Sequence, residues 1–328
     1  MNVLASIISA TIIFAVPLLL VALGGMFSER SGVINIALEG IMIIGALFSC
    51  LMLRMFDDSG FGQEHPQLAM FFAILVAALS GGIFSLLLAF TSIQLKADQT
   101  IGGTALNMMA PAFAVVLSWA VQGQGQTTIL IPTWIRIKEE TFGMEAGEGF
   151  LNTLIFKNFY MTTPIAFLLL IAAIVFLYKT KTGLHLRACG EHPQAADSVG
   201  INVFRMRYMG VVISGCLGGI GGLAFTVAAG SGFQSTVAGY GFLALAVMIF
   251  GNWKPISILG ASLLFAFFKV LGAYSASIPF MPKFENIKSS EYIYLMIPYV
   301  VTMVVLILTS KKSRAPKAEG IPYDKGAR

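Results

Sequence analysis

The residues in this sequence that could do chemistry are a few polar side chains inside long apolar segments. Asn35 and Glu39 are four residues apart, so on a helix they lie on one face, one turn from each other. A carboxylate inside a membrane is costly and usually faces the interior of a bundle or a water-filled path. The pair therefore predicts a polar patch on a translocation route. The alternative is a structural hydrogen-bond cluster, in which Glu39 caps a helix locally or pairs with Arg30.

Three more polar residues lie in apolar segments further along the chain. Thr104 and Asn107 share one segment, where they could hydrogen-bond a neutral, polar substrate or hold helices together. Lys269 lies in a later segment, and its long side chain could reach the outer surface or line an outer cavity. Its depth along its helix argues against a direct pair with Glu39. The candidate substrate-pathway residues are Asn35, Glu39, Thr104 and Asn107.

Several kinds of chemistry are absent from the sequence. It contains no G-x-x-x-x-G-K-[ST] phosphate-binding loop, so the chain is not its own ATPase of that type. The three histidines, His65, His185 and His192, form no H-E-x-x-H pair, which argues against a metalloenzyme. Glu39 is the only acidic residue well inside an apolar segment, whereas a proton-coupled carrier usually needs several ionisable groups there. We predict no catalytic residues, no metal and no cofactor.

The composition indicates a membrane protein. Apolar residues make up 57% of the 328 residues and charged residues 11%, well below the roughly 25% charge of a soluble domain. Segments such as Leu68–Phe90 and Met161–Tyr178 reach the ~18 residues needed to cross a membrane. Because these apolar runs are continuous, they predict helices and not the alternating strands of a barrel.

The hydrophobic segments predict an all-α, polytopic transmembrane bundle of about nine spans, within a range of about eight to ten. The seventh segment has only about 13 residues, so it predicts a re-entrant or broken helix near 239–251. Residues 1–310 would form one transmembrane domain, followed by a basic tail at 311–328. The predicted segments are 6–27, 33–53, 68–92, 101–122, 161–178, 208–230, 239–251, 256–276 and 294–310.

Basic residues predict the orientation of the chain in an inner cell membrane. Residues 179–207 and the tail 311–328 carry 11 of the 21 Lys and Arg residues, and such clusters remain on the cytoplasmic side. These clusters account for the net charge of +5 without any nucleic-acid partner. The loop 123–160 has more acidic than basic residues, which fits the outside. Counting back from a cytoplasmic C-terminus through nine segments places the N-terminus outside.

The most basic loop contains a short segment unlike the apolar runs around it. It reads Cys189-Gly-Glu-His-Pro-Gln-Ala-Ala-Asp-Ser-Val-Gly-Ile201. Pro193 can open a helix and Gly200 can close one, and Ala195 and Ala196 between them favour it. The segment therefore predicts a short helix. That helix is either an ordinary connector or a knob that docks into a cleft on a soluble partner.

Two stretches of the sequence resemble a known family. The loop at about 188–202 resembles the coupling loop of ABC importer permeases in the branched-chain amino acid, ribose and nucleoside group, with His192 in place of an asparagine. The stretch Glu29-Arg-Ser-Gly-Val-Ile-Asn-Ile-Ala-Leu-Glu-Gly40 is similar to the signature of the nucleoside, purine-type subgroup. The similarity covers about residues 6–310.

The resemblance implies a set of partners and a coupling site. Such permeases work with a second, related permease subunit, two copies of an ABC ATPase subunit and an extracytoplasmic substrate-binding protein, often a lipoprotein. The acidic loop 123–160 is a candidate docking surface for that binding protein. The coupling segment would transmit ATP-driven closure of the ATPase subunits to the spans. The residues carried over for this role are Gly190, Glu191, Pro193, Ala195, Ala196 and Gly200.

The leading hypothesis is a permease subunit of an ATP-driven importer for nucleosides, without enzymatic activity of its own. The nearest alternative is the same machinery carrying a simple sugar or a branched-chain amino acid. The alternative of a different class is a stand-alone secondary transporter or channel.

Overall fold

A computed structural model of the chain describes residues 2–137, 159–273 and 315–326, and single positions at 296, 300, 303, 304 and 307. The helices in these residues are α1 (Asn2–Arg30), α2 (Leu38–Asp58), α3 (Phe61–Glu64), α4 (Pro66–Ala89), α5 (Gln99–Gln122), α6 (Thr162–Lys179), α7 (Lys181–Glu191), α8 (Pro193–Ser198), α9 (Val203–Ala229), α10 (Tyr240–Phe250) and α11 (Pro255–Ala273). A π-helical turn, Phe90–Gln94, extends α4, and a 3-10 turn spans Thr133–Ile135. The β-structure of the described residues is one isolated bridge between Ile129 and Phe233.

Seven of the described helices are long and apolar enough to cross a membrane, which confirms the predicted polytopic, all-α fold. They are α1, α2, α4, α5, α6, α9 and α11. Helix α10 has 11 residues, so the prediction of a short helix at this place is also confirmed. The last predicted segment, 294–310, lies almost entirely outside the described residues.

Side-chain caps set where two of the spans begin. The carboxylate of Asp98 accepts hydrogen bonds from the N–H groups of Thr100 and Ile101, at 2.8 and 3.0 Å, at the start of α5. These backbone bonds lower the pKa of Asp98 below its ordinary value because they favour the ionised form. The side chain of Asn202 caps α9 in the same manner, by accepting from the N–H of Arg205 at 3.0 Å. Both caps satisfy donors that have no partner within their own helix.

Helix α2 begins at Leu38, five residues after the start of the predicted segment, because the chain turns sharply after α1. Gly32 adopts the left-handed conformation with φ +96°. Its N–H donates to the carbonyl of Glu29 at 2.9 Å, and the N–H of Val33 donates to the carbonyl of Ser28 at 3.2 Å. A glycine in this conformation commonly ends a helix and satisfies its last carbonyls. The turn directs residues 33–37 into the bundle.

Helix α9 lies at the centre of the bundle and packs against α1, α2 and α4. Glycines at these contacts allow the backbones to approach closely, as is common between membrane helices. A Cβ atom at Gly219 of α9 would meet the carbonyl oxygen of Ala77 in α4, and a Cβ atom at Gly45 of α2 would meet Gly219. The three helices therefore meet at a point where no side chain fits.

The chain reaches α10 through a non-helical stretch after α9. Gly230, Gly232 and Gly239 all take left-handed conformations in this stretch. Ile129 and Phe233 exchange two backbone hydrogen bonds of 2.9 Å, which tie the stretch to the chain that follows α5. Irregular backbone inside a membrane protein is tolerated where the protein itself satisfies its polar groups. Helix α10 consequently begins within the bundle, and Tyr240, its first residue, is buried.

Replacing Gly219 with alanine should destabilise the bundle, because the added methyl group meets backbone atoms that cannot move aside. We expect a loss of about 1–3 kcal/mol, the usual cost of overpacking, seen as a lower melting temperature of the detergent-purified chain. The matched control is Gly260→Ala in α11, where a Cβ atom meets open space. Equal melting temperatures for the two variants would contradict the close packing of α9.

Candidate functional site

Glu39 connects α2 to the start of α10. Its Oε1 accepts the N–H of Gly239 at 2.8 Å, and its Oε2 accepts the N–H of Gly241 at 2.7 Å. The first N–H groups of a helix have no partner within the helix, and the helix dipole favours a negative charge at this end. Glu39 is buried, so its carboxylate is the cap of a helix that begins inside the protein.

This cap corresponds to the structural alternative for Glu39, with a different partner. The sequence suggested a local cap or a pair with Arg30, whereas the capped helix lies 200 residues further along the chain. Arg30 instead donates to the carbonyl oxygen of Trp253 at 3.0 Å. A role of Glu39 in the substrate pathway stays a prediction.

Asn35 and Asn107 also bind across helices. Asn35 is fully buried, and its Nδ2 donates to the hydroxyl of Ser214 in α9 at 2.8 Å. The Oδ1 of Asn107 accepts the N–H of Gly40 at 2.7 Å, and its Nδ2 donates to the carbonyl of Ile36 at 2.8 Å. The bond of Asn35 is buried and the two bonds of Asn107 are partly buried, and each has a net contribution of about 1 kcal/mol. Together they attach α5 and α9 to the beginning of α2.

Thr104 lies apart from this cluster. Its side chain is exposed, and its hydroxyl donates to the carbonyl of Thr100 within its own helix at 2.7 Å. Most other exposed side chains of α5 are apolar, among them Met108, Phe113 and Val116. The structure thus brings Asn35, Glu39 and Asn107 together and leaves Thr104 on an exposed face of α5.

Lys269 of α11 lies against aromatic rings inside the bundle. Its ammonium nitrogen is 3.9 Å from the centre of the Tyr240 ring, 5.3 Å from that of Phe14 and 5.8 Å from that of Phe225. Aromatic faces attract cations electrostatically. Tyr240 is the residue between the two glycines that Glu39 binds, so α10 begins between an anion and a cation. The described residues contain no direct ion pair between Lys269 and Glu39, as the sequence predicted.

Two charged residues that sequence reasoning left without a role are buried. Glu29 is 3% exposed, and its Oε2 accepts the indole N–H of Trp253 at 2.5 Å. Arg207 is 1% exposed, although the sequence placed it in a basic cytoplasmic loop. Their burial was indicated in the sequence by position alone, since Glu29 lies at the end of one apolar segment and Arg207 lies directly before another. Neither position reveals the partner, because the partners are distant in sequence.

The short helix that the sequence predicts from Pro193 onward is α8, and a separate helix, α7, ends directly before it. Helix α7 ends at Glu191 and α8 begins at Pro193, since His192 between them is extended, with φ −144° and ψ 84°. Of the six residues carried over, Gly190, Pro193 and Ala196 are buried, and Gly190 lies against the backbone of Arg30. Glu191 is half-buried, and Ala195 and Gly200 are exposed. The exposed face of this segment also includes Val199, which is 75% exposed.

Two further predictions concern metal ligands and the acidic loop 123–160. The described residues contain no group of three or more His, Cys, Asp or Glu that could hold a metal ion. Trp134, in the described part of the loop, donates its indole N–H to Asp57 at 2.7 Å, which ties the loop to the end of α2. Residues 138–158, which hold the acidic residues of the loop, lie outside the described residues.

Comparisons with known proteins agree on one family. A family profile described as the permease component of the branched-chain amino acid transport system matches residues 7–308. The guanosine ABC transporter permease protein NupQ of Bacillus subtilis is 40% identical over 328 residues, which cover 100% of this chain and 99% of NupQ. The nucleoside ABC transporter permease protein NupC of Lactococcus lactis is 41% identical, covering 99% of this chain and 98% of NupC.

A more distant relative is named for another cargo. The putative glucose ABC transporter permease protein TsgC13 of Haloferax volcanii is 29% identical over 289 residues, covering 85% of this chain and 80% of TsgC13. No solved structure matches the chain.

Replacing Glu39 with alanine should destabilise the chain, because it leaves two N–H groups at the start of α10 without their acceptor. We expect a loss of about 1–3 kcal/mol for each buried, unsatisfied group, measured as thermal stability of the purified chain. Glu39→Gln retains one acceptor oxygen, so its thermal stability should lie between that of the natural chain and that of Glu39→Ala. Thr104→Ala is the control, since its exposed hydroxyl bonds within its own helix. Unchanged stability of Glu39→Ala would disprove the cap.

Proposed function

The chain belongs to the family of permease components of the branched-chain amino acid transport system, and from this membership we propose that it carries nucleosides as the permease subunit of an ATP-driven importer. The observation that supports the cargo is full-length similarity. Two relatives named for guanosine and nucleosides are 40% and 41% identical, against 29% for the relative named for glucose. The stretch Glu29–Gly40, which resembles the nucleoside subgroup, supports the same cargo. A sugar is the second candidate, and TsgC13 is the observation that favours it.

The candidate pathway residues form two groups that differ in their contacts. Asn35, Glu39 and Asn107 use their polar atoms to hold α2, α5, α9 and α10 together, and we propose that they build the wall of the pathway. Thr104 lies on the exposed face of α5, where a polar substrate can reach it. We propose that this face meets the second permease subunit and that the pathway runs between the two.

The proposed orientation is supported by the contacts at one end of the bundle. Gly190, which precedes α8, packs against Arg30 at the end of α1, so the basic segment 179–207 and the C-terminal end of α1 lie together. Helix α1 has 29 residues and is therefore about 43 Å long at 1.5 Å per residue, enough to place its other end across the membrane. Because basic residues stay in the cytoplasm, we propose a cytoplasmic C-terminus and an N-terminus outside.

The partners in this proposal divide between the two sides of the membrane. Two copies of an ABC ATPase subunit would act from the cytoplasm, one of them on the coupling segment of this chain. Exposed Ala195 and Val199 would enter its cleft, while buried Gly190, Pro193 and Ala196 hold the segment on the bundle. The loop 123–160 would receive the extracytoplasmic substrate-binding protein outside. A stand-alone carrier or channel would need none of these partners.

Placing an arginine at Ala195 should uncouple the permease from its ATPase subunit. The residue is exposed, so the fold tolerates the change, but a charge without a partner in the docking cleft should lower uptake about tenfold or more. Uptake into membrane vesicles and co-purification of the ATPase subunit are the two measurements. The control is Gln63→Arg, an exposed position in α3. Full uptake by Ala195→Arg at normal abundance would show that α8 is only a connector.

The cargo is tested by competition. Vesicles that contain the complete transporter should take up radiolabelled guanosine, and excess unlabelled adenosine or guanosine should suppress this uptake, whereas glucose and leucine should not. Removal of the ATPase subunit should abolish uptake. If glucose suppressed the uptake and the nucleosides did not, the cargo would be a sugar and not a nucleoside. Uptake that persists without any ATPase subunit would favour a stand-alone carrier.

A further inference from the structure

The end of the chain folds onto the coupling segment. The sequence predicted a basic tail at 311–328, and a basic tail is expected to be solvated. In the described residues 315–326, however, Pro316, Ala318 and Tyr323 are buried, and Ala318 and Tyr323 are each 5% exposed. Side chains this well covered need a defined docking site.

Polar contacts anchor this segment at several points. The N–H of Ala318 donates to the carbonyl of Gly190, at the end of α7, at 2.8 Å. Near the other end of the segment, Lys325 lies 3.9 Å from Asp197 of α8, and Asp324 lies 3.2 Å from Lys96, which precedes α5. The segment therefore connects both helices of the coupling region to the loop before α5.

Tyr323 fills the space between the coupling helices and α9. Its ring lies edge-on to that of Phe204 with 5.3 Å between the ring centres, and it forms a small apolar cluster with Cys189, Ala196 and Val203. Burial raises the pKa of the Cys189 thiol to about 11, so the thiol is neutral and packs as an apolar group. One side chain of the tail thus touches α7, α8 and α9 at once.

Arg207 of α9 holds the middle of the segment. Its Nη1 donates to the carbonyl of Ile321 at 2.9 Å, and its guanidinium lies 6.0 Å from the centre of the Tyr323 ring. The guanidinium also lies against Gly32, at the end of α1. A helix C-terminus carries partial negative charge and favours a cation, which offsets part of the cost of burying Arg207. The tail covers the remaining side of this cation.

Helix α8 needs such support. It has 6 residues, far below the ~12 to 15 at which an isolated helix becomes even marginally stable in water. Its buried residues are Pro193 and Ala196, and Tyr323 of the tail packs against Ala196 in their shared cluster. A helix that transmits force from an ATPase must keep a fixed position on the bundle.

We propose that residues 315–326 form a clasp that holds α8 in place for its ATPase subunit, with Tyr323 and Arg207 as positioning residues. The proposal rests on the proposed function for the identity of the partner. The clasp itself rests on contacts within this chain, which are measurable without transport.

The clasp brings the carboxyl group of Glu319 close to another carboxyl group. The Glu319 carboxyl group lies within hydrogen-bonding reach of that of Glu29, and burial raises the pKa of Glu319. Two carboxylates this close repel each other unless they share a proton. Replacing Glu319 with glutamine removes the repulsion and retains a hydrogen-bonding side chain, so this variant should dock more tightly than the natural chain.

Docking is tested by crosslinking the full-length chain in membranes. In a chain that carries Lys96→Cys and Asp324→Cys, a short bifunctional reagent should join the two sites, although these changes remove the exposed ion pair between them. Tyr323→Ala should slow this reaction about tenfold, the size expected for the loss of one buried aromatic ring. Tyr323→Phe keeps the ring and loses only the hydroxyl that bonds Asp197, so it should slow the reaction less than Tyr323→Ala. Glu319→Gln should accelerate it. Equal rates for Tyr323→Ala and the natural residue would overturn the clasp.

The role in coupling is tested in the complete transporter. Tyr323→Ala should lower both ATPase co-purification and the number of substrate molecules transported per ATP, and Tyr323→Phe should restore both. Ile321→Ala is the matched control, because the Ile321 side chain is 57% exposed and only its carbonyl takes part. A ratio of transport to ATP that is unchanged in Tyr323→Ala would overturn the coupling role.

Two results separate the clasp from other failures. If Tyr323→Ala lowers membrane abundance, Lys96→Glu and Asp324→Lys replace it: each alone should weaken co-purification about twofold, as expected for an exposed ion pair, and the double variant should restore it. Failure of the double variant to restore co-purification would count against the clasp. If the natural complex transports nothing while crosslinking behaves as expected, the proposed function fails and the clasp stands.

Discussion

The hydrogen bonds that Glu39 accepts at the start of α10 allow this helix to begin inside the bundle, and the polar contacts of the interior are arranged around them. Helix α10 begins inside the bundle, where no water can satisfy its first N–H groups. The two carboxylate oxygens accept from Gly239 and Gly241, so one side chain provides both the acceptors and the negative charge that a helix N-terminus favours. The non-helical approach to α10 is stable in this position only because its polar groups find such partners.

The neighbours of Glu39 extend the same principle to the rest of the interior. Asn107 satisfies both an N–H and a carbonyl group near the start of α2, and Asn35 binds Ser214 of α9. Lys269 meets the opposite side of α10 through the Tyr240 ring. The charged and polar residues of the interior therefore act mainly on the backbone and on one another. A pathway for a neutral, polar cargo would run beside this framework, along the exposed face of α5.

A second framework lies at the end of the bundle that carries the coupling segment. Arg207 and Glu29 are buried there, and both lie close to the end of α1. Arg207 binds the tail, and Glu29 binds Trp253, which follows α10. The contacts connect α8 with the tail, α9, and the ends of α1 and α10.

Much of the fold could be predicted from the sequence because the signal is local. Uninterrupted apolar runs predict spanning helices wherever they occur, and the shortness of segment 239–251 predicts that it does not cross fully. The sequence also identifies the family through residues 29–40 and 188–202. None of these inferences requires knowledge of a partner distant in sequence. The prediction that Asn35 and Glu39 share one helical face is wrong, because α2 begins at Leu38 and Asn35 lies in the non-helical chain before it.

The tertiary structure decided which groups these residues bind. Glu39 caps a helix 200 residues away. Arg207 binds a carbonyl 114 residues away, in a tail whose basic composition alone gives no sign that it is buried. The coupling segment turns Gly190 and Ala196 inward, which its sequence does not reveal. The sequence alone determined where the apolar helices lie, because the membrane selects them by length and composition. Only the packed chain decided the polar contacts, because a buried polar group is stable only beside a partner that folding brings to it.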